Sequence, residues 1–279
     1  MNIERNSNNI GERRITSAEL ELRKSGGTSF ICHQLMPHPF HITVPFLCPE
    51  DPKDIATLYI QSSSGGLYDE DQMRLHVTLH NGSKLHLTSQ ASTIVHRAKR
   101  KVGTEFHTEF DLAENTLLEY LPDPIILMAG SKYSGKSKLN LRGNCKTILA
   151  EAFLAHDPNS SGEIFESCFS ETSIMRNGKQ IIKDIFFIEG PDYFSRIAGY
   201  NCLASVFICG YGSGIVEKLK SRIDGIGHCL AGYSLFEKVD LILVRIIALE
   251  PHSLLRSIES AWAVAREDMT GCVPRKRRK

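Results

Sequence analysis

The sequence predicts a mainly β protein that gains about two α-helices in its C-terminal third. Three observations carry this expectation: stretches in which apolar and polar residues alternate, Gly- and Asn-bearing turns between them, and a late change to helical spacing. Met73–Leu79 (MRLHVTL) and Lys84–Thr88 (KLHLT) have the two-residue period of half-buried strands. Asn81-Gly82 between them reads as a hairpin turn, because both residues tolerate positive φ. Leu139 and Leu141 alternate with Asn140 and Arg142 before a second turn at Gly143-Asn144. A third turn, Arg176-Asn177-Gly178-Lys179, precedes the apolar run Ile181–Ile188. Gly214–Ile223 then places Ile215, Val216, Leu219 and Ile223 at helical spacing, and Val239–Ala248 reads as a buried strand. Leu254–Val264 is expected to be an amphipathic helix whose apolar side carries Leu254, Leu255, Ile258, Trp262 and Val264. No linker interrupts this succession. Residues 15–270 are therefore expected to form one domain between a flexible polar leader, 1–14, and a basic tail, 271–279.

Composition narrows the function classes. Of 279 residues, 42% are hydrophobic and 23% charged, enough for a sizeable core. A net charge of +1 gives no global signal for nucleic acid or an anionic membrane. Met1–Arg14 has no apolar core of a secretory signal, and Val239–Leu249 is too short to span a bilayer and contains Asp240 and Arg245. A soluble, cytoplasmic protein is expected. The eight cysteines include no CxxC pair, which argues for reduced thiols, several of them buried, and against a zinc ribbon.

Gly130-Ser131-Lys132-Tyr133-Ser134-Gly135-Lys136-Ser137 matches the phosphate-binding pattern GxxxxGK[ST] at every defined position. A working site would place Lys136 on phosphates and Ser137 on Mg²⁺, at the N-terminus of a helix. The residues that follow, Ser137–Arg142, alternate with period two, so a strand stands where the helix is needed. A polar, lysine-rich hairpin loop is the preferred reading, and a P-loop NTPase or kinase the leading rival function.

Other clusters are weaker. His33, His38 and His41 lie near Cys32 and Cys48, a soft donor set that suits nickel or zinc, but Pro37, Pro39 and Pro45 predict an irregular extended segment. His76, His80 and His86 fall on or beside the expected hairpin, most simply as part of a solvated face. No GxSxG elbow is present to support a hydrolase. Arg275-Lys276-Arg277-Arg278-Lys279 is a cationic cluster suited to an acidic partner, or to a solvated tail of a plain β-rich interaction module.

Several short elements, in order, resemble one family. Ser64-Gly65-Gly66-Leu67 with Asp71, then Thr88-Ser89-Gln90-Ala91 with Arg97, then Leu118-Glu119-Tyr120-Leu121-Pro122-Asp123-Pro124-Ile125-Ile126 are similar to elements of the urease accessory protein UreD (UreH) family. Gly162-Glu163 with Phe165, Val244-Arg245, Trp262, Arg266 and Pro274-Arg275 continue the likeness over roughly residues 18–275. The resemblance implies a helicoid-like stack of β-strand layers and a non-enzymatic scaffold with no tightly bound cofactor. It implies binding to apo-urease and to UreF, which carries the GTPase UreG, with nickel in transit towards the urease active site. A conduit for a hydrated cation needs oxygen ligands that attract without holding. Asp71 and Glu163 are the first candidates for such lining, followed by Thr88 and Ser89. Asp71 as a turn cap and Glu163 as a surface charge are the competing readings. The chain departs from the family at Asp69-Glu70, where Gly-Gly is usual, and in its charged ending.

Overall fold

The computed structural model describes residues 15–46, 52–157 and 162–275. The expected leader, Cys48, Ser160-Ser161 and Lys276–Lys279 lie outside the described residues.

Among the described residues the strands are β1 (Ile15–Ser25), β2 (Thr28–Leu35), β3 (Phe40–Ile42), β4 (Ile55–Ser62), β5 (Gln72–Leu79) and β6 (Lys84–Ser89). They continue with β7 (Thr93–Val95), β8 (Thr104–Leu112), β9 (Leu117–Leu121), β10 (Ile125–Met128), β11 (Lys132–Leu141) and β12 (Lys146–His156). The last are β13 (Ser167–Arg176), β14 (Lys179–Glu189), β15 (Cys202–Cys209), β16 (Cys229–Phe236) and β17 (Leu241–Ala248). Three helices accompany them: a single turn, α1 (Tyr193–Arg196), then α2 (Ile215–Ile223) and α3 (Pro251–Thr270).

The strands stack as coils, in the manner of a β-solenoid. One sheet has the order β14-β13-β11-β8-β5-β1-β2, and the facing one runs β16-β17-β15-β12-β9-β6-β4-β3. Between β5 and β13 the chain repeatedly leaves one sheet for the other and returns. Neighbours such as β5, β8, β11 and β13 are therefore parallel. This corrects two expectations. Asn81-Gly82 and Gly143-Asn144 are not hairpin turns but corners, each carrying the chain from one sheet to the other. Of the three turns, Asn177-Gly178 alone closes an antiparallel hairpin, between β13 and β14. Local sequence encodes the positive φ of Gly82, Gly143 and Asn177, but the same backbone bend serves a corner or a hairpin. The corners stack. Asn144 Nδ2 donates to Asn115 Oδ1 at 2.7 Å, the Asn115 amide to Asn144 Oδ1 at 2.9 Å, and the Gly143 amide to Asn177 Oδ1 at 3.0 Å.

Alternation divides each strand between two environments. Leu75, Val77, Phe110, Leu139 and Leu141 point between the sheets, where they meet Leu85, Leu87, Leu149 and Phe153. The opposite side of the larger sheet packs Ile148, Ala150, Val206 and Val244 against the helices. Helix α3 starts with Pro251 and ends at Gly271, whose φ of 75° supplies the left-handed cap. It buries Leu254, Ile258, Ala261, Trp262, Ala265 and Met269, the periodic face expected from sequence extended by a turn or so at each end. Ala152, Ala204 and Ala248 keep the strand side of this interface flat. No helix among the described residues is long and apolar enough to cross a membrane.

Candidate functional site

The phosphate-loop lookalike is not a loop. Lys132–Leu141 is one straight strand, parallel to β8 on one side and β13 on the other, so neither a nucleotide cradle nor the expected hairpin loop exists. Lys136 points outward into solvent, whereas Ser137 points between the sheets. Gly135 shares that inner face and makes room for the Tyr133 ring. A Cβ there would lie 2.7 Å from Tyr133 Oη.

Register makes Ser137 part of a polar row. It stands opposite Thr108 of β8 and Thr172 of β13, and Thr172 stands opposite Asp184 of β14. The facing sheet carries a matching row, since Glu151 of β12 is opposite Ser205 of β15, and Ser205 opposite Arg245 of β17. The rows are joined. Ser137 Oγ donates to Glu151 Oε1 at 2.5 Å, Ser170 Oγ to Glu151 Oε2 at 2.9 Å, and Thr108 Oγ1 to Ser137 Oγ at 3.0 Å. Arg245 pairs with Asp184 and also donates to Ser205. Thr172 is 1% exposed, and its hydroxyl has no hydrogen-bond partner among the described residues. An oxygen-lined seam thus crosses a core that is otherwise apolar.

The seam opens towards a cavity. Tyr120, Tyr133, Ser137, Glu151 and Ser170 surround a small internal space of about 50 Å³, which shares Thr93 and Phe106 with a larger cavity of about 260 Å³. Phe40, Met73 and Phe106 form apolar walls of the larger one, and Ser64, Ser89 and Gln90 face it with oxygens and an amide. Gly66 closes its edge in a backbone conformation of φ 135°, where a Cβ would meet Ile94 O at 2.4 Å. Gly66→Ala is therefore expected to cost on the order of 1–3 kcal/mol, measurable by urea unfolding. A cost under about 0.5 kcal/mol would show that the wall yields.

The four conduit residues expected from sequence do not share one wall. Ser89 lines the larger cavity and accepts the Asp123 amide at 2.8 Å. Thr88, one residue earlier, faces the opposite side of the sheet, where its hydroxyl donates to Leu121 O at 2.7 Å. Asp71 accepts the Tyr68 amide at 2.7 Å and caps the turn after Gly65-Gly66. In that turn Glu70 takes φ 75°, a conformation that glycine adopts without strain. Asp69 binds the amides of Gly103 and Arg100 at 2.7 and 2.5 Å. Burial alone would raise its carboxyl pKa, but these N–H donors hold it below the usual value. Glu163 is exposed and pairs with Arg97. Glu151, absent from the sequence-derived set, is a carboxylate that lies between the sheets. Its signal was a lone charge at an inward position of the apolar run Thr147–Leu154.

Histidines also separate. His76 pairs with Asp111 at 2.7 Å and His80 with Glu21 at 2.9 Å on the outer face of the smaller sheet, while His86 is buried on the helix side of the larger one. His33 approaches Glu19 at 3.4 Å, and His41, on β3 in the other sheet, contacts Gln61 at 2.6 Å. Beneath α3, His86 Nδ1 contacts Glu119 at 2.9 Å, Trp262 Nε1 donates to it at 2.8 Å, and Arg266 clasps both its oxygens. Burial would push the Glu119 carboxyl up, but Arg266 and His86 outweigh it and bring it down to about 2. Two distant elements of the resemblance, Leu118–Ile126 and Trp262 with Arg266, meet here.

The UreD urease accessory protein family matches residues 15–279. The chain is 29% identical over 277 residues to urease accessory protein UreD 1 of Methylorubrum populi, covering 97% of this chain and 93% of that one. It is 28% identical over 261 residues to urease accessory protein UreD 1 of Pseudomonas syringae pv. syringae, covering 91% of each. With most of its length matched in this way, the chain belongs to the UreD urease accessory protein family.

Proposed function

We propose that the protein acts in urease maturation as a non-catalytic scaffold that binds apo-urease and a UreF-type partner and conveys nickel between them. The observation that carries the conduit part is the seam of Thr108, Ser137, Ser170, Thr172 and Glu151 between the sheets. Hydroxyls and a single carboxylate attract a divalent cation and replace part of its water shell, yet are too few to trap it as a closed cage of sulfur and nitrogen would. Ser89 would stand at the wide end of the path. Asp184, neutralised by Arg245, would stand at the other, and would accept the cation only when Arg245 swings away. In this proposal Asp71 and Glu163 act mainly by holding the turn and the segment that frame the wide end, and Thr88 by fixing β6 to β9. Nucleotide hydrolysis is left to a UreG-type partner.

The test is complementation. Cells carrying a urease operon with this gene deleted are supplied with the wild type or variants, and the nickel content of purified urease is measured. Wild type and Lys136→Ala are expected to restore nickel, because Lys136 lies on the outer surface. Full nickel in the deletion strain itself would refute the scaffold role.

A further inference from the structure

The outer face of the smaller sheet holds a second cluster of donor atoms, remote in the fold from the seam because it lies on the other side of β1 and β5. A β-bulge creates it. Opposite β1, Glu21 pairs with His33 and Leu22 with Ile31, so Cys32 is the extra residue. Such a bulge re-aims a side chain that regular alternation would direct elsewhere. His80, just past β5, is anchored by its amide to Leu22 O at 3.0 Å, which carries its ring to the same spot. The result is a thiol, an imidazole and a carboxylate from three separate segments, Cys32, His80 and Glu21, with ligating atoms all within 4.8 Å of one another.

We infer that Glu21, Cys32 and His80 form a surface site for a thiophilic divalent transition metal, with water completing the shell. A tetrahedral ion bonded at about 2.0–2.3 Å holds its ligands about 3.3–3.8 Å apart by simple geometry. Its widest separation needs to close by roughly 1–1.5 Å, and the Glu21–His80 pair to open slightly. Glu21 and His80 are already 2.9 Å apart, and Cys32 is exposed and free to turn from its present contact with Glu21 O at 3.4 Å. One sulfur, one nitrogen and one oxygen select borderline ions such as Zn²⁺, Ni²⁺ or Co²⁺ over Mg²⁺ or Ca²⁺, which prefer oxygen alone. Three protein ligands with an open fourth position describe a site that exchanges its ion rather than a structural one. The site is independent of the conduit proposed above.

Co²⁺ titration of the purified full chain under phosphine reduction tests this. Wild type is expected to develop a near-ultraviolet thiolate-to-cobalt band together with visible bands of tetrahedral cobalt, and an equivalent of Zn²⁺ should abolish both. Cys32→Ser should remove the charge-transfer band, and His80→Ala should weaken Co²⁺ binding at least tenfold. Cys272→Ser, which removes the other exposed thiol among the described residues, should change neither. Circular dichroism confirms that each variant is folded. A band that survives Cys32→Ser, or cobalt binding without thiolate character, would overturn the assignment and leave His80–Glu21 as an ordinary ion pair.

Discussion

Glu119→Gln is expected to destabilise the protein by about 3–5 kcal/mol, because it leaves the Arg266 guanidinium buried without its counter-charge. Both side chains of the pair are 0% exposed, so water cannot take the lost partner's place. Replacing Glu119 and Arg266 together by Leu and Met should cost less than the sum of the two single changes. The double variant removes the charge altogether, while Trp262 and His86 each lose an acceptor worth roughly 1–3 kcal/mol. Trp262 is the only tryptophan in the chain, and its indole touches Glu119, so its fluorescence reports directly on this contact during denaturant unfolding. A single-variant cost below about 1 kcal/mol, or additive costs in the double variant, would show that the cluster does not act as a unit.

The same pair sets an acid limit. Glu119 titrates at about 2 in the fold against 4.5 for the free side chain, so the unfolded chain takes up a proton first as pH falls. Its contribution is fully present above pH 4.5 and is lost as pH drops towards 2. In Glu119→Gln this part of the acid transition should be absent.

Glu151→Gln is expected to lower the nickel content of urease by about tenfold or more while leaving the fold intact. The amide keeps hydrogen bonds with Ser137 and Ser170, so the stability change should stay near 1 kcal/mol. A unit charge near a cation at about 4 Å is worth roughly 4 kcal/mol at intermediate dielectric, and tenfold corresponds to about 1.4 kcal/mol. Loss of part of that attraction is therefore sufficient. Thermal unfolding of the variant, beside metal analysis of urease from complemented cells, separates the two effects. Normal nickel with a normal melting temperature would remove Glu151 from the path. Ser137→Ala should produce a smaller loss, since it takes away a neutral oxygen and leaves the charge.

Much of this was legible in the chain itself. Alternation gave Met73–Leu79 and Lys84–Thr88 as strands, and helical spacing gave α2 and α3, because these patterns depend only on which side of a single element meets the core. The period-two run after Lys136 argued against a phosphate loop for the same local reason. Pairing was not legible. Asn81-Gly82 bends the backbone whether the next strand returns beside the last or crosses to another sheet, and that choice depends on segments far away in sequence.

The site divides in the same way. Sequence could name Ser89 as a candidate, and it set Glu119, Trp262 and Arg266 in order. It could not tell that Thr88 and Ser89 face opposite sides of β6, or that Asp71 is occupied by the Tyr68 turn. Stacking of coils alone aligned Thr108, Ser137 and Thr172 across three strands and set Glu151 opposite them. Likewise a bulge, invisible without its partner strand, brought Cys32 to Glu21 and His80. Side-chain chemistry and local periodicity are properties of neighbours along the chain, whereas a path or a metal site requires atoms within a few ångströms, which long-range packing alone provides.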